Sequence, residues 1–234
     1  MMEILAFTAL YRTKGAAFPM GLSETVTYVW IQQTLRVLFL VVFSDADIYS
    51  AISTGSIAYE LVRPMSLYGR WFCQSAANRV AFATVNCLPV LLVSLLMPEP
   101  YRLTLPPSLG QGLLFLLSMV LALGVVVAFA MLMYISLFYT LAQRGVKVIV
   151  TALTTFLSGG VIPLPFFPEQ VLRFVRLLPF ASMQNTPILI FTGNTVGLEA
   201  LGGIALQAFW LAVLIALGLF CIRRAQKKVI AQGG

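Results

Sequence analysis

The chain has 234 residues, of which 60% are hydrophobic and 10% charged, with a mean hydropathy of +0.94. Soluble domains run at roughly 45–50% apolar and 25% charged, so this balance excludes a soluble globular protein and leaves room for five or six bilayer spans of about 20 residues each. The net charge of +7 comes from basic residues flanking apolar runs, a topology signal and no nucleic-acid face, and the absence of histidine excludes histidine triads, metal ligands and proton relays.

In chain order, residues 1–11, MMEILAFTALY, are mostly apolar but give only about 16 Å of helix at 1.5 Å per residue. That is half of a roughly 30 Å hydrocarbon core, hence a partial span. Residues 24–44 are long enough to cross, yet Thr, Gln and Arg36 are interspersed, which predicts a helix facing protein. Arg36 is an intramembrane charge costing roughly 2.5–3.5 kcal/mol on insertion scales, so it turns toward protein or water. Gln32 and Gln33 lie three to four residues earlier on the same face. Two readings stay open for this strip: a lining of a translocation path or dimer seam, and a structural hydrogen-bond cluster. Asn78, Arg79 and Asn86 in the next span are weaker candidates, since Arg79 lies near enough to the end to snorkel.

The stretch DADIYSAISTGSIAYELVR, residues 45–63, places Ile48, Ile52, Gly55, Tyr59 and Val62 at spacings of four, three, four and three, one face of a helix. It predicts an amphipathic helix over 47–62 on the membrane surface, stopped by Arg63-Pro64 because the residue before proline leaves the helical region. A plain interfacial helix and a helix presented to a partner both fit, and Glu60 and Arg63, three apart, could pair with each other. Further spans are predicted over 70–97, 111–141, 146–162 and 199–222, the fourth of minimum length.

Between the last two spans, Pro163, Pro165, Pro168, Pro179 and Pro187 prevent one continuous helix. The segment is nevertheless too apolar for a solvated loop. Residues 163–193, entered through Gly159 and Gly160, are therefore expected to form a re-entrant or broken helical segment at the membrane surface. The fold class expected is an all-α polytopic membrane protein, one permease-like domain over 1–234 with five full spans and a partial N-terminal one. With the C-terminus cytoplasmic, the inner loops carry Arg63, Arg70, Arg79, Arg144, Lys147, Arg223, Arg224, Lys227 and Lys228 against Arg12, Lys14, Arg102, Arg173 and Arg176 outside. Nine against five puts 47–62 inside and the proline-rich segment outside.

No catalytic or metal site is read from the chain. Asp45 and Asp47 are the only close carboxylate pair, and Cys73, Cys87 and Cys221 lack metal or redox spacing. A secondary transporter would be expected to keep more ionisable groups near the midplane and often an internal repeat; that class and a membrane-embedded assembly or accessory protein are kept as alternative readings.

Two runs carry a family resemblance. ISTGSIAYELVRPMSLYGRWF, residues 52–72, resembles the cytoplasmic signature I-x-x-G-x-I-A-x-x-L-x-R-P of type-2 ABC exporter permeases, with Ile52, Gly55, Ile57, Ala58, Leu61, Arg63 and Pro64 on the pattern. LSGGVIPLPFFPEQVLRFVRLLPFASMQNTPILIFTG, residues 157–193, is similar to that family's outer-face segment, and the terminal Gly233-Gly234 is also familiar from it. The resemblance covers the chain from about residue 9 onward. It implies a bacterial cytoplasmic (inner) membrane permease that pairs with a second permease, identical or homologous, and with an ABC ATPase subunit dimer. The helix over 47–62 would then be the coupling helix, with Ile52, Gly55, Tyr59, Glu60, Leu61, Arg63 and Pro64 meeting the ATPase. ATP and Mg would be held by that partner, with no cofactor on this chain, which lacks a G-x-x-x-x-G-K-[ST] loop. Because the resembling permeases have a complete first span, the partial one at 1–11 is expected to reflect a late start.

Overall fold

The computed structural model of the chain describes residues 2–14, 18–42, 48, 66–139 and 143–230. All regular structure among them is helical: α1 (Met2–Lys14), α2 (Leu22–Thr34), α3 (Arg36–Phe39), α4 (Leu67–Leu96), α5 (Leu109–Ser136), α6 (Gln143–Leu157), α7 (Glu169–Leu177), α8 (Pro179–Met183), α9 (Asn185–Thr192) and α10 (Gly197–Ile230), with a 3-10 turn at Leu164–Phe166. Three of these are long and apolar enough to cross a membrane, namely α4, α5 and α10, and α6 is a shorter apolar helix.

Local chemistry sets the long helices in place. Ser66 and Ser108 are the N-caps of α4 and α5, accepting from the amides of Gly69 (3.3 Å) and Gln111 (3.2 Å), which satisfies donors that a helix start leaves orphaned. α5 is the central element, apolar throughout, and packs along α10 over most of its length. Lipid is as apolar as leucine, so helices associate through close packing and polar ties. Close packing is visible at Gly124, where a Cβ would lie 2.9 Å from a Leu211 methyl, and at Gly218, where it would lie 2.6 Å from the Tyr68 ring. The polar tie is Gln207, wholly buried on α10: Ser118 on α5 donates its hydroxyl to Gln207 Oε1 (2.8 Å), while Gln207 Nε2 donates to the carbonyls of Ser118 (3.2 Å) and Ser182 (2.9 Å).

Two large apolar cores result, beside two smaller clusters around Leu164 and Val175 and around Ile190 and Ala200. One joins α4, α5 and α10 around Trp71, Met131, Tyr134, Leu214 and Ile222. The other joins α1, α2 and α9 around Ile4, Phe7, Tyr28, Ile31 and Ile188. α1 is tied to α2 by Tyr11, whose hydroxyl donates to the Met20 carbonyl at 2.6 Å and meets Thr25 Oγ1 at 2.8 Å. The loop between α4 and α5 is tied to α2, where Trp30 Nε1 donates to the Tyr101 carbonyl (2.9 Å) and Thr27 meets Thr104 (2.8 Å), and Gln111 Nε2 in the first turn of α5 reaches the Thr195 carbonyl between α9 and α10 (3.0 Å).

The region read as a span over 24–44 is not one helix. α2 ends at Leu35 (φ −102°, ψ 13°), α3 adds a single turn, and the chain leaves helical geometry at Leu40 (ψ 113°). The freed carbonyls go to Arg79 on α4, whose Nη2 donates to Leu40 O (3.1 Å) and Val41 O (2.9 Å). Arg79 is fully buried; the expectation that it snorkels from a span end is corrected, because unwound backbone at membrane depth needs protein donors and this guanidinium supplies them.

The segment 163–193 is broken into the 3-10 turn, α7, α8 and α9, with Pro168 as the N-cap of α7 and Pro179 opening α8. α7 has three faces: Val175 is buried and Leu172 half-buried, Val171, Phe174 and Leu177 are exposed apolar residues, and Arg173, Glu169 and Arg176 are charged and exposed. A helix with one face on protein, one apolar and one charged suits a membrane–water boundary. With the three native cysteines replaced, single cysteines at Glu169 and Arg173 should react with an impermeant maleimide added outside intact cells; labelling only after the membrane is breached would reverse the orientation.

Candidate functional site

Sequence places polar side chains on two helices that face each other across a hollow. On α2 and α3, Gln32, Gln33 and Arg36 occupy successive positions of one face around the Leu35 break. On α6, Thr151, Thr154 and Thr155, followed by Ser158, recur at i, i+3, i+4 and i+7, so their hydroxyls lie along a single face. Between the two strips is a cavity of about 390 Å³, closed on other sides by Gly160, Gln184 and Met183 and by residues 39–42. That volume falls in the range of small-ligand sites, roughly 300–1,000 Å³.

The turn after α6 shapes the cavity's upper wall. Gly159 has φ +86°, the left-handed region, and a Cβ there would lie 2.8 Å from the Tyr28 hydroxyl and 3.3 Å from the Leu164 amide nitrogen. Gly160 follows, its amide bonded to the Thr155 carbonyl at 2.8 Å. Its own carbonyl accepts from Gln32 Nε2 at 2.7 Å, which ties α2 to the turn. Tyr28, one helical turn before Gln32, donates to Asn185 Oδ1 at 3.1 Å and holds the start of α9 against α2.

Polar groups in the cavity are unevenly satisfied. Thr154 donates to the Val150 carbonyl (2.7 Å) and Ser158 to the Thr155 carbonyl (3.4 Å), so these hydroxyls keep acceptor lone pairs free. Gln33 donates to Glu3 Oε2 at 3.2 Å. Gln32 and Gln184 are each 5% exposed, and each retains one buried amide atom, Gln32 Oε1 and Gln184 Nε2, with no partner. A buried unsatisfied polar group costs about 1–3 kcal/mol, so both amides hold unmet hydrogen-bonding capacity within the cavity wall. Arg36 is the sole charged residue among the described lining residues and is exposed.

Of the residues singled out in the sequence, Gln32, Gln33, Arg36 and Gly160 are therefore brought together at one cavity, with Gly159 directly behind it. Pro163 and Pro179 are buried, Pro165 is half-buried and Pro168 exposed, and none of them lines it. The helix expected over 47–62, with Ile52, Gly55, Tyr59, Glu60, Leu61, Arg63 and Pro64, lies outside the described residues apart from Ile48, which joins the core of α4, α5 and α10. The hydroxyl strip of α6 and Gln184 were missed. The strip had a legible signal, four hydroxyls at helical spacing in an apolar helix; Gln184 had none, because its place depends on the break between α8 and α9 (φ −131°, ψ −48°). Among the described residues no group of His, Cys, Asp or Glu side chains could hold a metal ion.

The family model described as "ABC-2 family transporter protein" matches residues 1–233. No curated protein and no solved structure matches the chain.

Proposed function

The chain belongs to the ABC-2 family of transporter proteins, and from that premise we propose that it is the permease subunit of an ATP-driven exporter in the bacterial cytoplasmic membrane, working with a second permease and an ABC ATPase dimer. The observation that carries the reading is the polar cavity between α2–α3 and α6, a hydrogen-bonding hollow whose α6 wall turns an apolar face, with Val148, Ile149, Leu153 and Phe156, outward. Such a hollow suits passage of cargo, and among the described residues it holds no nucleophile–base pair for chemistry on it. In this reading the segments over 24–44 and 146–162 cross the bilayer together with α4, α5 and α10.

Mechanically, ATP binding would close the ATPase pair and push on the coupling segment at 47–62. That segment follows residues 39–42 of the cavity floor within a few positions and precedes α4, and Arg79 joins those two attachments. A displacement at 47–62 thus has a short covalent and hydrogen-bonded route to the cavity. The permeation walls would then change access from the inner to the outer side, with Gln32, Gln33, Arg36 and the α6 hydroxyls exchanging bonds with the cargo.

The test is purification of the full chain from its native membranes. An ATPase subunit carrying a G-x-x-x-x-G-K-[ST] loop is expected to co-purify and to hydrolyse Mg-ATP. Replacing Gly55 with Trp should leave the chain inserted but lower ATPase association and hydrolysis. Failure of any ATPase to associate in mild detergent or nanodiscs would sink the reading, whereas an unaffected Gly55→Trp variant would remove only the coupling assignment.

A further inference from the structure

Among the described residues the cavity's lining is lopsided, with one cation, two incompletely bonded amides, a row of hydroxyls and no carboxylate. We infer that this cavity binds an amphiphile with an anionic, oxygen-rich head and an apolar tail. The inference rests on the permease reading and names the cargo class of that same site.

The head is specified by three groups. Arg36 is a guanidinium with five donors and no acceptor, suited to a phosphate or carboxylate, and no carboxylate among the described residues forms an ion pair with it; the nearest acid reached through the strip, Glu3, accepts from Gln33. Gln184 and Gln32 line the cavity, and Gln184 Nε2 and Gln32 Oε1 lie buried in its wall without a partner, so that turning these amides inward offers the same head a second donor and an acceptor for its hydroxyl proton. A cationic head would meet Arg36 without compensation, and an uncharged one would leave the guanidinium unanswered. The tail is specified by the remainder of the lining, in which Phe39, Leu40, Val41, Val42 and Met183 form an apolar floor. The cavity is too small for a whole long-chain lipid, so the tail continues past the open side.

The same head chemistry could come from a free anion, and the experiment separates the two. The full chain is placed in nanodiscs of phosphatidylcholine and titrated calorimetrically with hexyl phosphate, inorganic phosphate, hexyl glucoside and hexyltrimethylammonium. Hexyl phosphate should bind about tenfold or more tighter than hexyl glucoside, the worth of one charge-assisted bond, and the ammonium amphiphile weakest. Arg36→Gln should erase the preference for hexyl phosphate over hexyl glucoside; Arg36→Lys, which keeps the charge, should retain most of it. Gln184→Leu should weaken both hexyl ligands. Equal binding of phosphate and glucoside heads overturns the proposal, as does a preference that survives Arg36→Gln or one lost equally in the lysine variant. Inorganic phosphate binding as tightly as hexyl phosphate overturns the amphiphile half. An ATPase-associated chain with no anion preference defeats this inference and leaves the permease reading standing; an anion preference in a chain that binds no ATPase does the reverse.

Discussion

Replacing Gly159 with valine is expected to lower the protein's unfolding free energy by about 2–5 kcal/mol, a large share of the 5–15 kcal/mol typical of a folded chain. Two independent costs combine. A non-glycine residue in the left-handed region costs roughly 1–2 kcal/mol, more for a branched one, and at φ +86° valine takes that cost in full. Its Cβ would also press on the Tyr28 hydroxyl and the Leu164 backbone, overpacking worth about 1–3 kcal/mol. Backbone cannot move aside as a flexible side chain can. Thermal unfolding in detergent, followed by tryptophan fluorescence, should show a clear fall in midpoint, with Gly159→Ala intermediate. Because Tyr28 also holds Asn185, the valine variant should lose ligand binding even at temperatures where it stays folded. An unchanged midpoint would mean that the turn is not fixed as described.

Arg79→Leu should be comparably damaging. The guanidinium holds Leu40 O and Val41 O, besides Ser75 O (3.3 Å) and the Ser75 hydroxyl on its own helix. Hydrogen bonds to charged groups contribute about 1.5–3 kcal/mol each, and their loss leaves buried carbonyls unsatisfied. We expect a loss of about 3–5 kcal/mol, the size seen when one partner of a buried charged contact is removed. Lysine should not rescue it, since one ammonium cannot reproduce the planar fork. Hydrogen exchange at residues 38–42 should rise sharply in the leucine variant; exchange equal to the parent would show that the carbonyls have other partners.

What the residues alone revealed follows from the range over which each signal acts. α4, α5 and α10 announce themselves because nearly every position over some 20 residues is apolar. The break at Leu35 does not, since the local sequence TLRVLFL contains no proline or glycine. The unwinding that follows at Leu40 and Val41 is held by Arg79, about forty residues away, whose own position near the start of an apolar run suggested the opposite role. Gln32, Gln33 and Arg36 stood out by polarity. Their counterpart on α6 was hidden in plain view, since threonine and serine lower hydropathy too little to mark a face. Gln207 was equally inconspicuous, a lone amide whose partners lie 25 and 89 positions away.

The helices differ greatly in reach. At about 1.5 Å per residue, α4 with 30 residues and α5 with 28 extend some 45 and 42 Å, and α10 with 34 about 51 Å, whereas α6 with 15 spans only some 22 Å. On the proposed reading, in which the segment over 146–162 also crosses, a bilayer of roughly 30 Å would be overmatched on one flank and undermatched on the other. Surplus length is absorbed by tilt or by emergence into water; a deficit is met by dimpling of the lipid, at fractions of a kcal/mol per Å. The dimple would form beside the hydroxyl-bearing wall, drawing the headgroup layer inward there. Acyl-chain length then becomes a setting of the transporter, with short-chain lipids relieving the deformation at that wall and long-chain lipids deepening it.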